Sequence, residues 1–149
     1  MASPVIYTDP AKATDALAGL LARSRRMVGF TGAGISTECG VPDFRSPGSP
    51  WMINKPIPYA AFVASEEARL EAWRRKFTMD DHYAGARPGR GHAAFARLVA
   101  SGVMPAVITQ NIDGLHLRAG SDPTRFVEIH GNVREFMCMN CDDRGSIER

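Results

Sequence analysis

Phe30-Thr-Gly-Ala-Gly-Ile-Ser-Thr-Glu-Cys-Gly-Val-Pro-Asp-Phe-Arg45 is the stretch on which the reading of this 149-residue chain turns. It opens on the end of a short apolar strand, Met27 to Phe30, turns through Gly32 and Gly34, and enters a polar segment able to start a helix near Ser36. Glycines in such a turn permit φ > 0 and let the backbone approach a ligand closely, while a helix start offers unpaired N–H groups to a phosphate. A dinucleotide pyrophosphate fits there, and a structural turn accounts for the glycines equally well. The third glycine of a Gly-x-Gly-x-x-Gly pattern is replaced by Thr37.

The continuation separates the two. Gly40-Val-Pro-Asp-Phe-Arg45 sets an acid, an aromatic ring and a guanidinium side by side after the turn, where the sugar and base of a nucleotide would be handled. At these residues the sequence resembles the sirtuin family of NAD-dependent protein deacylases, whose signature reads Gly-Ala-Gly-Ile-Ser-Thr followed by Gly-Val-Pro-Asp-Phe-Arg. The resemblance implies NAD as co-substrate, held by Gly32, Ala33, Gly34, Ile35, Thr37, Asp43, Phe44 and Arg45, with Trp51 from the next loop.

Composition narrows the class. The size suits one domain with a real core. A formal net charge of +2 gives no electrostatic reason to expect a nucleic-acid partner. No apolar run approaches the ~20 residues of a membrane span, and the N-terminus lacks a signal-peptide pattern. With three cysteines, two of them as Cys138-x-x-Cys141, a reducing, cytoplasmic setting and a metal or redox role are expected.

Around the opening stretch the elements follow in order. Asp9-Pro10 caps a helix to about Arg25 with Ala13, Leu17, Leu20 and Leu21 on one face, expected to pack on a sheet. Ser46 to Pro58, rich in Pro, Gly and Ser, reads as a long ordered loop forming a flap over the cofactor. Tyr59 to Thr78 reads as two short helices, a helical insertion whose Tyr59, Phe62, Trp73 and Phe77 are expected in the core. A helix from His92 to Ser101, with Phe95, Leu98 and Val99 inward, leads past Gly102 to a buried strand, Pro105 to Thr109, by a parallel crossover.

Past that strand comes Thr109-Gln-Asn-Ile-Asp113. Polar residues beyond the carboxyl end of a parallel strand sit on the ligand side of the sheet. Read alone, Asn111 and Asp113 could equally cap the next helix. The sirtuin resemblance implies that Asn111 and Asp113 sit near the nicotinamide carboxamide, with Ile112 adding backbone contacts and Gln110 at the ribose hydroxyls. His116 reads as a packed helix residue. A third strand, Phe126 to His130, ends in a histidine followed by Gly131, and imidazole titrates in the range general-base work needs. The resemblance makes His130 the catalytic base. It implies attack of an acyl-lysine oxygen on the ribose as nicotinamide leaves, then capture of the acyl group by a ribose hydroxyl to give free lysine and O-acyl-ADP-ribose.

A strand from Val133 to Met137 precedes Cys138-Met-Asn-Cys141, the first half of a zinc ribbon and two of the four thiolates a structural zinc takes. The expected fold is α/β: an incomplete Rossmann-like parallel sheet (about 9–50 and 88–130) with a small-domain part (about 51–87 and 131–149) holding the helical insertion and the half ribbon. The resemblance covers the front part of a sirtuin domain. A fragment is therefore expected, with acylated-lysine protein as its substrate class, either active or inactive without the rest of the domain although it carries His130, and inclined to self-associate through an uncovered sheet edge. A non-catalytic nucleotide-binding or scaffold fragment, and a protein ADP-ribosyltransferase, remain as alternatives.

Overall fold

The computed structural model describes residues 5–147. Helix α1 (Pro10–Arg23) starts where Asp9 accepts the Ala11 N–H at 2.9 Å, with Pro10 in the first turn. Strand β1 (Val28–Thr31) follows. Helices α2 (Tyr59–Ala64), α3 (Glu66–Asp81) and α4 (Arg90–Ala100) precede β2 (Ala106–Thr109). A single-turn helix α5 (Leu115–Arg118) leads to β3 (Phe126–Glu128), and β4 (Glu135–Met137) and β5 (Arg144–Ser146) form a hairpin.

The sheet has strand order β1-β2-β3, all parallel, with Thr31 opposite Thr109 and Thr109 opposite Glu128. Alternation along the strands gives it two faces. Gly29, Val107 and Phe126 lie on one, where Val99 and Met104 bury Val107 together with Phe95 and Leu98. Gly29 lets α4 come close: a Cβ there would lie 2.7 Å from the Phe95 ring and 2.9 Å from the Met104 sulfur. The other face carries Val28, Phe30, Ile108 and Val127, and Phe30 is 62 % exposed. Parallel sheets are normally covered on both faces. Here Val28, Phe30 and Val127 leave apolar surface open to solvent on that face, while Ile108 between them is half-buried.

A second apolar cluster joins Val41, Trp51, Met79, Tyr83, Ala86 and Leu115, with Ile112 and Val133 packed against it. It fastens the loop and α3 to the segments that follow β1 and β2.

Several expectations need correction. No α-helix begins near Ser36; short 3₁₀ turns at Ala33–Ile35 and Thr37–Cys39 stand there instead, because the Ser36 N–H and Cys39 N–H close onto carbonyls three residues back. Gly32 has φ −143°, and neither it nor Gly34 takes positive φ. The left-handed conformation falls on Gly40 instead. No residue of α1 is buried, and Leu17 and Leu20 stay more than half exposed, since that stripe finds no covering partner among the described residues. The insertion is two helices, but α3 is long, and Tyr59, Trp73 and Phe77 are exposed; Met79 and Tyr83 turn inward instead. Strand β5 has no signal in the sequence, because Arg144-Gly-Ser carries no apolar alternation. Its Gly145 accommodates the Phe136 ring, which would lie 2.5 Å from a Cβ there. The small-domain part reaches residues 148 and 149, which lie outside the described residues.

Candidate active site

The ladder continues past the strands and sets the site. The Gln110 N–H donates to the Thr31 carbonyl at 3.0 Å and the Ile129 N–H to the Thr109 carbonyl at 3.1 Å, which brings the chain after all three strands to one edge. A cavity of about 770 Å³ opens there. From the first motif it takes Gly32, Ala33, Gly34 and Ile35, then Asp43, Phe44 and Arg45; from the other strand ends it takes Gln110, Asn111 and His130. A Cβ at Gly34 would meet no atom within 4 Å, so what the glycine contributes is bare backbone at the cavity wall. A second cavity, about 430 Å³, adjoins the first through Ala33, Phe44, Gln110, Asn111 and His130, and adds Trp51, Ile112 and Asp113. Of the residues expected at the site, Thr37 lines neither; its hydroxyl turns back to the Gly34 carbonyl at 3.0 Å.

Phe44 and Trp51 stack with ring centroids 4.5 Å apart, and both line the second cavity. Asp43 has a local task as well. Its carboxylate accepts the Arg45 and Ser46 N–H groups at 2.9 and 2.7 Å and the Ser46 hydroxyl at 2.7 Å, and its carbonyl accepts the Ser49 hydroxyl. The Ser46 hydroxyl is the main reason its carboxyl sits below the usual range. This turn gives the Pro-rich loop its shape.

His130 is exposed, and its Nδ1 lies 3.0 Å from the Gln110 carbonyl oxygen. Asn111 uses both amide hydrogens inside the protein, on the Gly32 carbonyl and the Ser36 hydroxyl, each at 3.1 Å. What it can offer a ligand is therefore Oδ1, an acceptor. Asp113 accepts the Leu115 N–H at 2.9 Å in a turn ahead of α5, whose N-cap is Gly114, and it accepts the Ser36 hydroxyl at 2.7 Å. Asn111 does not cap that helix.

Sequence reasoning missed the layer beneath. Ser36 is fully buried, and besides Asp113 and Asn111 it meets His92 Nε2 at 3.3 Å. The Gly89 N–H points at His92 Nδ1, 3.2 Å away, so Nδ1 is an acceptor and the ring is neutral with its hydrogen on Nε2. Burial pushes His92 below its ordinary pKa. His116 packs edge-on against His92, bonds Thr31 Oγ1 through Nε2 at 2.9 Å, and is pushed down to about 4 by burial and then by His92. The packed role expected of His116 matches its burial. The one available signal for Ser36 was its place inside the first motif. His92 had none, since a histidine in the first turn of a helix is ordinary.

Cys138 and Cys141 sit at the turn of the β4–β5 hairpin, where the Asp142 N–H returns to the Cys138 carbonyl at 3.0 Å. Backbone N–H groups of Asn140 and Cys141 aimed at its sulfur hold the Cys138 thiol below its usual range. Among the described residues no group of three or more His, Cys, Asp or Glu is placed to hold a metal ion. No helix of the described residues is long and apolar enough to cross a membrane.

The family model described as Sir2 family matches residues 32–149, from the first glycine of the turn onward. The chain belongs to the Sir2 family. It is 52 % identical over 137 residues to NAD-dependent protein deacetylase 1 of Bradyrhizobium diazoefficiens, covering 92 % of this chain and 54 % of that protein. It is 51 % identical over 132 residues to an NAD-dependent protein deacetylase of Rhodopseudomonas palustris, with 89 % and 52 % covered. Among solved structures, Sir2 with a p53 peptide and NAD+ superposes with a TM-score of 0.74 at 38 % identity, over 89 % of this chain and 52 % of that one. Sir2Tm bound to a propionylated peptide gives 0.72 at 36 %, over 89 % and 51 %. The parallel sheet is thus the Rossmann-like sheet of the Sir2 fold. The chain spans about half the length of the curated relatives it matches.

Proposed function

We propose that this Sir2-family chain carries the nicotinamide-side and catalytic-base part of an NAD-dependent protein-lysine deacylase, with deacetylation as the default reaction. The reading is carried by one observation: His130, Asn111 and Arg45, from three separate motifs, line a single cavity at the ends of three parallel strands. NAD supplies a glycosidic bond to nicotinamide and a ribose that receives the acyl group. Backbone from Gly32 to Ile35 and Arg45 bind the nucleotide, with Gln110 at its ribose. Asn111 Oδ1 and Asp113 accept hydrogen bonds from the nicotinamide carboxamide, and Phe44 stacked on Trp51 keeps water from the reacting centre. Nε2 of His130 takes a proton from a ribose hydroxyl.

Cys138 and Cys141 are proposed as two of four thiolate ligands of a structural zinc. The donor type fits, and two further ligands are needed to complete a tetrahedral site. The division into a sheet part (about 9–50 and 88–130) and a small part (about 51–87 and 131–149) is proposed with it. The bare sheet face around Phe30 is proposed as a self-association surface.

The test is nicotinamide release from NAD by the purified chain with and without an acetyl-lysine peptide. Peptide-dependent release that His130→Ala removes supports the deacylase. Peptide-independent release with labelling of protein supports ADP-ribosyl transfer, and NAD binding without turnover supports a binding fragment.

A further inference from the structure

Thr31 and Thr109 close strands β1 and β2 opposite one another, on the face that carries Gly29 and Val107. Both side chains are buried, and Thr109 is only 1 % exposed. Valine would fill the same space at either position, and replacing a buried pair of hydrogen-bonded groups by apolar ones of the same shape costs a fold little. Stability therefore gives no reason for two hydroxyls here. Their hydrogen bonds do.

The Thr31 hydroxyl donates to Thr109 Oγ1 at 2.8 Å, which commits its one hydrogen. It therefore accepts from Nε2 of His116, 2.9 Å away. Nδ1 of His116 is then a lone pair, buried with no hydrogen-bond partner among the described residues, and a buried acceptor left empty is better tolerated than a buried N–H. Thr109 Oγ1 also accepts the N–H of Asn111 at 3.1 Å. That N–H belongs to the peptide group between Gln110 and Asn111, whose carbonyl faces Nδ1 of His130 at 3.0 Å. A trans peptide is planar, with N–H and C=O pointing in opposite directions, so whatever fixes the N–H also aims the carbonyl. The β1–β2 ladder stops one peptide earlier, at the Gln110 N–H, and the side-chain amide of Asn111 is tied to Gly32 and Ser36. The Thr109 hydroxyl is what the N–H of this plane holds on to. One run of hydrogen bonds thus leads from the buried ring of His116, through two hydroxyls and a peptide plane, to the exposed ring of His130.

Resting on the reading of His130 as the base, we propose that Thr109, backed by Thr31 and His116, is a positioning residue for it. Its hydroxyl holds the Gln110–Asn111 peptide so that the carbonyl keeps the hydrogen of His130 on Nδ1 and leaves Nε2 free to take a proton. Thr109 lines neither of the two cavities at the strand ends, so its effect passes through that plane alone.

The experiment reads the ring directly. Long-range proton–nitrogen correlation spectra of the whole ¹⁵N-labelled chain, taken at about pH 8 where an ordinary imidazole is neutral, distinguish a ring nitrogen that carries hydrogen from one that carries a lone pair. The His130 signals are those lost in His130→Ala. The parent is expected to hold His130 mainly in the Nδ1–H form. Thr109→Val keeps the shape and removes the hydroxyl, and is expected to lower the ratio of the Nδ1–H to the Nε2–H form at least about fivefold, the contribution of one ordinary hydrogen bond. Thr109→Ser keeps the hydroxyl with poorer packing, and is expected to keep the parent ratio. A parent held mainly in the Nε2–H form overturns the proposal, and so does a ratio that Thr109→Val leaves unmoved. A loss in Thr109→Ser as large as that in Thr109→Val overturns it too, because packing would then be the cause. Should Thr109→Val fail to fold, Thr109→Ala takes its place under the same criteria. None of these spectra involves turnover, so the deacylase reading is judged apart from them: peptide-dependent nicotinamide release that persists in His130→Ala would take the base role from His130 whatever the spectra show.

Discussion

Nδ1 of His130 and the carbonyl oxygen of Gln110 lie 3.0 Å apart across neighbouring strand ends. A carbonyl oxygen only accepts, so Nδ1 carries the hydrogen and the free lone pair of the neutral ring is on Nε2. The backbone thus selects the tautomer a base needs. His130→Ala is expected to lower peptide-dependent nicotinamide release by about 10²–10⁴-fold. Turnover within a few-fold of the unmodified chain would exclude His130 as the base.

Ser36 joins the first motif to the second. Its hydroxyl donates to Asp113 at 2.7 Å and accepts from Asn111 at 3.1 Å, inside a fully buried site. Ser36→Ala leaves a carboxylate oxygen and an amide hydrogen short of a partner, at a cost of about 1–3 kcal/mol. The urea midpoint is expected to fall, and NAD affinity, by calorimetry, to fall with it. An unchanged affinity would detach Ser36 from the site.

The buried histidines set an acid limit. The folded His116 takes up a proton only near pH 4, against 6.5 for the ordinary imidazole, and His92 shifts the same way. The unfolded chain therefore binds more protons in that window. Stability is fully present above about pH 6.5 and is lost as pH falls toward 4. Allowing for screening by nearby solvent, His116 accounts for about 2 kcal/mol of the loss. Urea unfolding at pH 7 and 4.5 is expected to show a shallower pH dependence in His116→Phe than in the parent. Equal slopes would contradict the assignment.

Gly29 has no room for a side chain, with Phe95 at 2.7 Å and Met104 at 2.9 Å from an added Cβ. Gly29→Ala is expected to cost about 1–3 kcal/mol through displacement of α4. The check is a lower urea midpoint with an unchanged slope.

The bare face of the sheet is expected to drive association. Phe30→Lys puts a charge on the edge strand of that face and should shift the chain toward the monomer in sedimentation experiments run across concentration. The same distribution of species in both proteins would move the contact elsewhere.

The motifs supply most of the lining of the two cavities at the strand ends. Gly32 to Ile35, Gln110 with Asn111, and His130 could be read because each lies just beyond an apolar strand, and the parallel pairing of β1, β2 and β3 turns that position into proximity. Physical context hid the rest. Thr37 belongs to the motif string but hydrogen-bonds within its own turn. Ser36 and His92 act through burial, and burial has no local signature. The aromatic residues of α2 and α3 misled because an exposed Tyr59 or Trp73 has the same composition as a core one, and only the third dimension tells which side faces Met79.

Gln110 and Ile129 each reach back to the strand before them by one main-chain bond, so the cleft is complete only once the sheet has closed. Gly32 and His130 are distant in sequence, and such long-range closure is slow and all-or-none. Amide hydrogens at the strand ends should consequently exchange only with global opening, and occupancy by nucleotide should slow exchange in β1, β2 and β3 together.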